Sequence, residues 1–204
     1  MKTLLQLKTS IFSTGGASSR LADAFVETRK IIEPGLNVVT RDLAKDPVPH
    51  LTAEGFQGFI AKPEARTPEQ AKIVAYSDAL IDELRRADTI VLGLPMYNFG
   101  VPSALKAYFD HIGRAGVTFK YTDKGPVGLL TGKKAYVIAT RGGNYIGTSW
   151  DTQTAYVRNF LSFLGITDVE FIFAEGLAMG DASRKASIEK AERIIAGVGE
   201  LAAA

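Results

Sequence analysis

Residues 87–100 read ADTIVLGLPMYNFG, and the rest of the chain is organised around this stretch. Residues 89–94 are apolar and rich in β-branched side chains, which is typical of a strand buried on both faces of a parallel sheet. Pro95 ends the run because proline has no N–H to donate to a neighbouring strand. The next loop, Met-Tyr-Asn-Phe at 96–99, lies where ligands bind in open α/β sheets. We interpret it as a contact for a flat aromatic ligand, although packing beneath neighbouring segments explains it equally well.

Strand and helix patterns alternate along the whole chain. The predicted strands are residues 3–8, 36–40, 89–94, 133–140 and 166–174. The predicted helices end near residues 32, 86, 112, 164 and 201, each after apolar residues at helical spacing. Thr67, with Pro68 and Gln70 behind it, predicts a helix start. Asp151 and either Ser18 or Ser19 are expected to cap two of the other helices.

Five strands, each followed by a helix, predict an α/β fold with a doubly wound parallel sheet and helices on both faces. The expected strand order is 2-1-3-4-5, so that strands 1, 3 and 4 are neighbours. The loops at 9–19, 95–100 and 141–147 then meet at one edge of the sheet, where we expect the ligand crevice. Residues 117–132 are a small insertion with strand-like alternation.

Residues 41–66 show little periodicity and contain Pro47, Pro49 and Pro63. A loop of this length is usually functional or mobile. We predict irregular structure here, and residues 56–60 are a candidate lid over the crevice.

Composition limits the classes of function. The 204 residues fit a single domain, with 46% hydrophobic residues, 23% charged residues and a formal charge of +2. Lysine and arginine are scattered without a basic stripe, which gives no case for nucleic-acid binding. The chain has no cysteine, and His50 and His111 lack a carboxylate cluster at ligand spacing, so we expect no protein metal site.

The N-terminal apolar run is interrupted by Gln6 and Lys8 and is followed by no small-residue cleavage site, so we do not interpret it as a signal peptide. No segment approaches the roughly 20 apolar residues that a membrane span requires. We therefore expect a cytoplasmic protein without a membrane partner.

The loop at 9–19 precedes a helix, and the free N–H groups of a helix N-terminus suit a phosphate, with Ser10, Ser18 and Ser19 as further donors. Simple capping explains these serines equally well. Gly15-Gly16 does not have the G-x-G-x-x-G spacing, and GLLTGKK at 128–134 is one residue short of a P-loop and precedes its strand. No catalytic triad or nucleophile elbow is present.

The predicted crevice thus combines a phosphate end, an aromatic loop and a glycine pair, without evident acid–base residues. Hydride transfer through a flavin needs little more, because the cofactor supplies the chemistry. Backbone N–H groups near Gly142 and Gly143 are placed to stabilise the negative charge of a reduced flavin.

Six blocks of the sequence resemble the family of FMN-dependent NADH-azoreductases and NAD(P)H:quinone oxidoreductases. They are PMYNF at 95–99, AGVTFKY at 115–121, GKK at 132–134, TRGG at 140–143, LGITD at 164–168 and FAEG at 173–176. The resemblance covers nearly the whole chain in the same order. It implies a flavodoxin-like fold and a homodimer with one FMN per subunit at the dimer interface.

Carried over position by position, the resemblance implies three groups of FMN contacts. The phosphate contacts are Ser10, Gly16, Ala17 and Ser18. The contacts along the ring system are Pro95, Met96, Tyr97, Asn98 and Phe99. The contacts at the pyrimidine end are Thr140, Arg141, Gly142 and Gly143. The substrate pocket is assigned Asn144, Tyr121 and Phe163, of which the two aromatic residues are expected to come from the partner subunit or else to be core residues.

The resemblance also implies a ping-pong reaction in which NADH or NADPH reduces the flavin and a quinone or azo compound then reoxidises it. No side chain is assigned as a catalytic residue, because the flavin N5 carries the hydride. Many members of the family have a serine where Gly16 stands, so one phosphate hydroxyl is missing here. Two alternatives stay open: an FMN electron carrier or sensor without turnover, although such carriers tend to be acidic, and an α/β binding domain without flavin.

Overall fold

The computed structural model describes residues 1–201, and the side chains of residues 1–198. Its main sheet has five parallel strands, which are β1 Thr3–Lys8, β2 Asn37–Asp42, β3 Thr89–Pro95, β6 Lys134–Thr140 and β7 Asp168–Ala174. Their order across the sheet is β2-β1-β3-β6-β7. The predicted order 2-1-3-4-5 of the five main strands is confirmed.

The two remaining strands form an antiparallel hairpin, β4 Phe119–Thr122 and β5 Gly125–Gly128. This hairpin is the predicted insertion at 117–132. It packs against the end of the fifth helix, where the Leu130 N–H donates to the Leu164 carbonyl at 2.8 Å.

Helices cover both faces of the sheet. They are α1 Ala17–Ile32, α2 Ala53–Ile60, α3 Pro68–Arg86, α4 Ser103–Ile112, α5 Thr152–Phe163 and α6 Asp181–Leu201. Alternate residues of each strand point to opposite faces, so Leu4 packs with Phe25 of α1 and Ile195 of α6, whereas Leu5 belongs to the core beneath α3, α4 and α5. Within residues 1–201, none of the helices has the length and hydropathy to cross a bilayer.

Two of the three predicted helix caps are confirmed. Thr67 and Gln70 form a reciprocal capping box, and the Asp151 side chain accepts a hydrogen bond from the Thr154 N–H. The prediction for Ser18 or Ser19 is wrong, because α1 begins at Ala17 and its N-cap is Gly16, directly after a 3₁₀ turn. Both serines lie inside the helix, fully buried against the sheet.

The prediction of irregular structure at 41–66 is also wrong in part, because α2 forms within it. Thr52 caps this helix by accepting from the Gly55 N–H. Gly55 and Gly58 face α3 so closely that a Cβ on either would lie about 3 Å from Ile73 or Gln70. Two glycines in eight residues indicate a loop, so the sequence pattern conceals a helix whose glycines permit close packing.

Candidate functional site

A cleft of about 360 Å³ lies at the carboxyl edge of the sheet, where the loops after β1, β3 and β6 meet as predicted. Its volume is within the range of small-molecule sites. Nine of the predicted cofactor residues line it: Ser10, Gly16, Ala17, Pro95, Met96, Tyr97, Thr140, Arg141 and Gly142.

The end of the cleft at α1 is suited to an anion. The first helical hydrogen bond runs from the Arg20 N–H to the Gly16 carbonyl at 3.0 Å, so the N–H groups of Ala17, Ser18 and Ser19 find no acceptor in the described part of the chain. Such free amides, together with the positive end of the helix dipole, bind phosphate.

Gly16 keeps this end of the cleft open. A Cβ there would lie 2.2 Å from Ser10 Oγ and 2.6 Å from Ser10 Cβ, which no real side chain tolerates. The glycine at position 16 is therefore matched to the position of Ser10. Ser18 does not line the cleft, because its hydroxyl is buried and has no partner among the described residues; it offers its backbone N–H instead.

Tyr97 ties the second loop to the first. Its hydroxyl shares a hydrogen bond with Ser10 Oγ at 3.2 Å and accepts from the Ile11 N–H at 3.3 Å. Ser10 Oγ also accepts from the Phe12 N–H at 3.2 Å. The phosphate end and the aromatic wall are thus held in one fixed arrangement.

Asn98 and Phe99 occupy the tip of a tight turn and do not line the cleft. Tyr97 and Gly100 exchange both backbone hydrogen bonds, at 3.2 and 2.9 Å, and the two residues between them have φ of +49° and +60°. This is a type I′ turn built without glycine, a strained arrangement that concentrates at functional sites. The Phe99 ring packs on Trp150 with centroids 4.9 Å apart and so joins the second loop to the third.

Arg141, predicted as an FMN contact, lines the cleft, but its side chain is paired within the protein. Its guanidinium is fully buried and lies 2.7 Å from Asp151 and 3.0 Å from Glu175, with Phe173 beneath it. Burial raises the pKa of Asp151, but the hydrogen bonds from Arg141 and Thr154 outweigh it, so that pKa is below its usual value. The charge of Arg141 therefore holds the third loop and is not available to a ligand.

The third loop is bound to the segment after β7 through its carbonyl groups. The Gly142 and Gly143 carbonyls accept from the N–H groups of Ala178 and Gly176 at 3.0 and 3.1 Å. The N–H groups of the same two glycines have no acceptor among residues 1–201. One end of the cleft thus offers amides for a phosphate and the other offers the Gly142 amide for ring heteroatoms, with Met96 and Tyr97 between them. This donor set fits FMN.

The three predicted substrate residues lie apart from the cleft. Asn144 is in an adjoining groove, with its amide 3.5 Å from Met179 Sδ. Tyr121 and Phe163 both contact Phe119, at centroid distances of 5.4 and 4.2 Å, and Tyr121 is 73% exposed. Within one chain the structure brings these two aromatic residues to Phe119 and not to the cleft.

Four lining residues were missed from the sequence, namely Phe12, Gly15, Leu177 and Arg184. Phe12 and Gly15 belong to the predicted phosphate loop and could have been included with it. Leu177 follows β7, whose loop adjoins that of β6 in the predicted strand order. Arg184 is at the start of α6, where a charged residue in the sequence indicates only the solvent-exposed face of a helix.

Comparisons with known proteins agree with this geometry. A family model described as a flavodoxin-like fold matches residues 2–197. The chain is 55% identical over 195 residues to an FMN-dependent NADH:quinone oxidoreductase of Cellvibrio japonicus, covering 93% of this chain and 98% of the relative.

Two solved structures are similar over almost their whole length. An azoreductase from Bacillus anthracis has a TM-score of 0.90 and 31% identity, covering 98% of this chain and 99% of that one. An FMN-dependent NADH-azoreductase from Bacillus anthracis, solved in complex with FMN, has a TM-score of 0.89 and 27% identity, with both chains covered completely. Since sequence, fold and cleft agree, the chain belongs to the flavodoxin-like family of FMN-dependent NADH:quinone oxidoreductases and azoreductases.

Proposed function

We propose that this protein is an FMN-dependent NAD(P)H oxidoreductase that reduces quinones and azo compounds by two-electron transfer. The observation that carries the proposal is the cleft itself, which has free amides at both ends and an aromatic wall between them. The names of the relatives support the same reaction class.

Each loop has a separate task in this proposal. The N–H groups of residues 17–19 and the Ser10 hydroxyl would hold the FMN phosphate. Pro95, Met96 and Tyr97 would line the flat ring system. The N–H groups of Gly142 and Gly143 would donate to its pyrimidine end, with Asn98, Phe99, Thr140 and Arg141 fixing the loops that present these contacts.

When bound, FMN supplies hydride transfer from a reduced nicotinamide to an electrophilic acceptor. The fixed amides of Gly142 and Gly143 stabilise negative charge that develops beside them without having to reorganise. The open side of the cleft would admit donor and acceptor in turn, which gives ping-pong kinetics. No side chain is assigned as a proton donor, and water would protonate the product.

We further propose that residues 1–204 form one FMN-binding domain that works as a homodimer in the cytoplasm, where reduced nicotinamide is supplied. The exposed Tyr121 and the neighbouring Phe163 support the dimer, since they would complete the acceptor side of the other subunit's cleft. Asn144, next to Gly143, would border the same pocket.

Steady-state kinetics of the FMN-loaded protein test the proposed reaction. NADH oxidation is measured at several fixed concentrations of a benzoquinone, and then of an azo dye, with NADPH as a second donor. Parallel double-reciprocal lines are the expected result. A protein that retains FMN but shows no acceptor-dependent turnover is a carrier, and a protein that takes up no FMN is a different kind of α/β binding domain.

A further inference from the structure

The phosphate end of the cleft has few candidate cations. The loop at 9–19 contains no lysine or arginine. Arg141 lines the cleft, but its guanidinium is buried between Asp151 and Glu175. The helix dipole supplies only about half a positive charge, whereas a phosphate monoester carries up to two negative charges.

Arg184 lines the cleft together with Gly16, Ala17 and Gly142. It is exposed, and the only hydrogen bond of its side chain among the described residues is a long one, 3.4 Å from Nη1 to the Leu177 carbonyl. No carboxylate of the described side chains lies within ion-pair distance of it. The side chain therefore has a charge and most of its five N–H donors available.

The fold explains how a residue so distant in sequence reaches this place. α6 packs beside α1 on one face of the sheet, so its first turn lies next to the N-terminal end of α1. Arg184 is in that first turn. Gly16, the N-cap residue of α1, lines the same cleft.

From this arrangement we propose that Arg184 binds the phosphate group of FMN. The inference rests on the proposed function, since it assumes FMN in the cleft. The contact is a charge-assisted hydrogen bond to a phosphate monoester, made from a flexible and exposed side chain.

The test compares two ligands that differ only in the phosphate. Apoprotein is titrated with FMN and with riboflavin, and binding is followed by the change in flavin fluorescence. Arg184→Gln is expected to weaken FMN binding about three- to ten-fold, as suits a partly screened ion pair, and to leave riboflavin binding unchanged. The loss should shrink at high salt because screening weakens the wild-type contact, and Arg184→Lys should restore part of the affinity.

Lys185→Gln is the matched control, because Lys185 is the next residue of α6, is 79% exposed and does not line the cleft. It should change neither affinity. If Arg184→Gln lost equal affinity for FMN and for riboflavin, its role would be merely structural and the proposal would be overturned. Equal losses of FMN affinity in Arg184→Gln and Lys185→Gln would overturn it as well.

Unchanged FMN affinity in Arg184→Gln would also overturn the proposal. If the KM for NADH rose instead, the residue would recognise the pyrophosphate of the dinucleotide. A wild-type protein that failed to bind FMN at all would contradict the proposed function itself, which separates that failure from a failure of this inference alone.

Discussion

Arg141 is buried beneath the third loop, and both carboxylates that it contacts are nearly buried too, with side-chain exposures of 10% and 12%. Glu175 additionally accepts from the N–H groups of Tyr145 and Ile146 at 2.9 and 3.0 Å. The guanidinium is thus the centre of a network that sets the position of the Gly142 and Gly143 amides.

Replacing Arg141 with methionine should lower the free energy of unfolding by about 3 kcal/mol, since it leaves two carboxylates buried without a counter-charge. Urea unfolding measures the effect. Arg158→Met is the control, because Arg158 also lies over a phenylalanine ring, at 5.1 Å, but makes no ion pair with a described carboxylate. A loss of equal size in both variants would contradict the account of the network.

Phe99 is held in the left-handed region of backbone conformation. The stability cost of this conformation can be measured separately from the contribution of the phenyl ring. Phe99→Ala and Phe99→Gly both remove the ring, but only glycine relaxes φ of +60°. We expect Phe99→Gly to be more stable than Phe99→Ala by about 1 kcal/mol in urea unfolding. At Phe12, where φ is −89°, the same pair of substitutions should show the opposite order, with alanine more stable.

Sequence reasoning at this scale identified the residue types but not every side-chain direction. Gly16, Ala17, Met96 and Gly142 follow strand ends, and all four line the cleft. Because Arg141 adjoins a glycine pair, the sequence indicates a ligand contact. Its actual partners, Asp151 and Glu175, are 10 and 34 residues away along the chain and reach its guanidinium only in the folded protein.

At the scale of elements, the β4–β5 hairpin is fastened to the end of α5 by a close backbone approach. A Cβ on Gly128 would lie 2.0 Å from the Gly165 nitrogen and 2.2 Å from the Leu164 carbonyl carbon. Because both neighbours are backbone atoms, no rotamer change can relieve the clash. The hairpin carries Tyr121, so its position bears on the acceptor pocket proposed for the dimer.

Gly128→Ala should therefore destabilise the protein by about 3 kcal/mol, as overpacking does. Gly197→Ala makes the same chemical change in α6 at a position where an added Cβ meets no atom within 4 Å. It should stabilise the protein by about 0.5–1 kcal/mol through helix propensity. Thermal or urea unfolding of both variants checks the contrast, and a mild effect at Gly128 would refute the close approach.

α2 shows why element prediction succeeded unevenly. The main strands are specified largely by their own apolar and β-branched residues, and they were found in the predicted order. α2 is specified by what it packs on: Gly55 and Gly58 allow contact with α3, while Phe59 lies against Arg114, with the guanidinium 4.7 Å from the ring centroid. Neither contact is visible in local periodicity.

For the whole molecule, His111 links stability to pH. It is 2% exposed, its Nε2 is 3.0 Å from the Pro49 carbonyl, and its Nδ1 has no partner in the described part of the chain. Burial lowers its pKa; the Pro49 carbonyl and Asp110 act in the opposite direction, and Arg114 reinforces the decrease. The folded protein therefore takes up this proton less readily than the unfolded chain, whose histidines titrate near 6.5.

It follows that the contribution of His111 to the free energy of unfolding is complete above about pH 6.5 and decreases as the pH falls towards the folded-state pKa. His111→Gln should flatten the pH dependence of stability between about pH 7 and about pH 5, measured by urea unfolding across that range. His50→Gln, which removes the exposed histidine, controls for the loss of one imidazole. A slope unchanged by His111→Gln would contradict the assignment.

The whole-molecule architecture was the most predictable level, because sheet order followed from five apolar runs and the right-handed crossover rule. That order in turn predicted which three loops would meet. Arg184 could be assigned to the cleft only once α6 was placed beside α1, and the acceptor side, with Tyr121 and Phe163, depends in our proposal on a second subunit.

The most direct test of the central claim, two-step hydride transfer, is anaerobic stopped-flow absorbance of the FMN-loaded protein. The protein is mixed first with NADH and then with a benzoquinone. We expect rapid bleaching of the flavin band after the first mixing and rapid recovery after the second. An oxidised flavin spectrum that persists under both NADH and NADPH would contradict the account and would indicate an electron carrier instead.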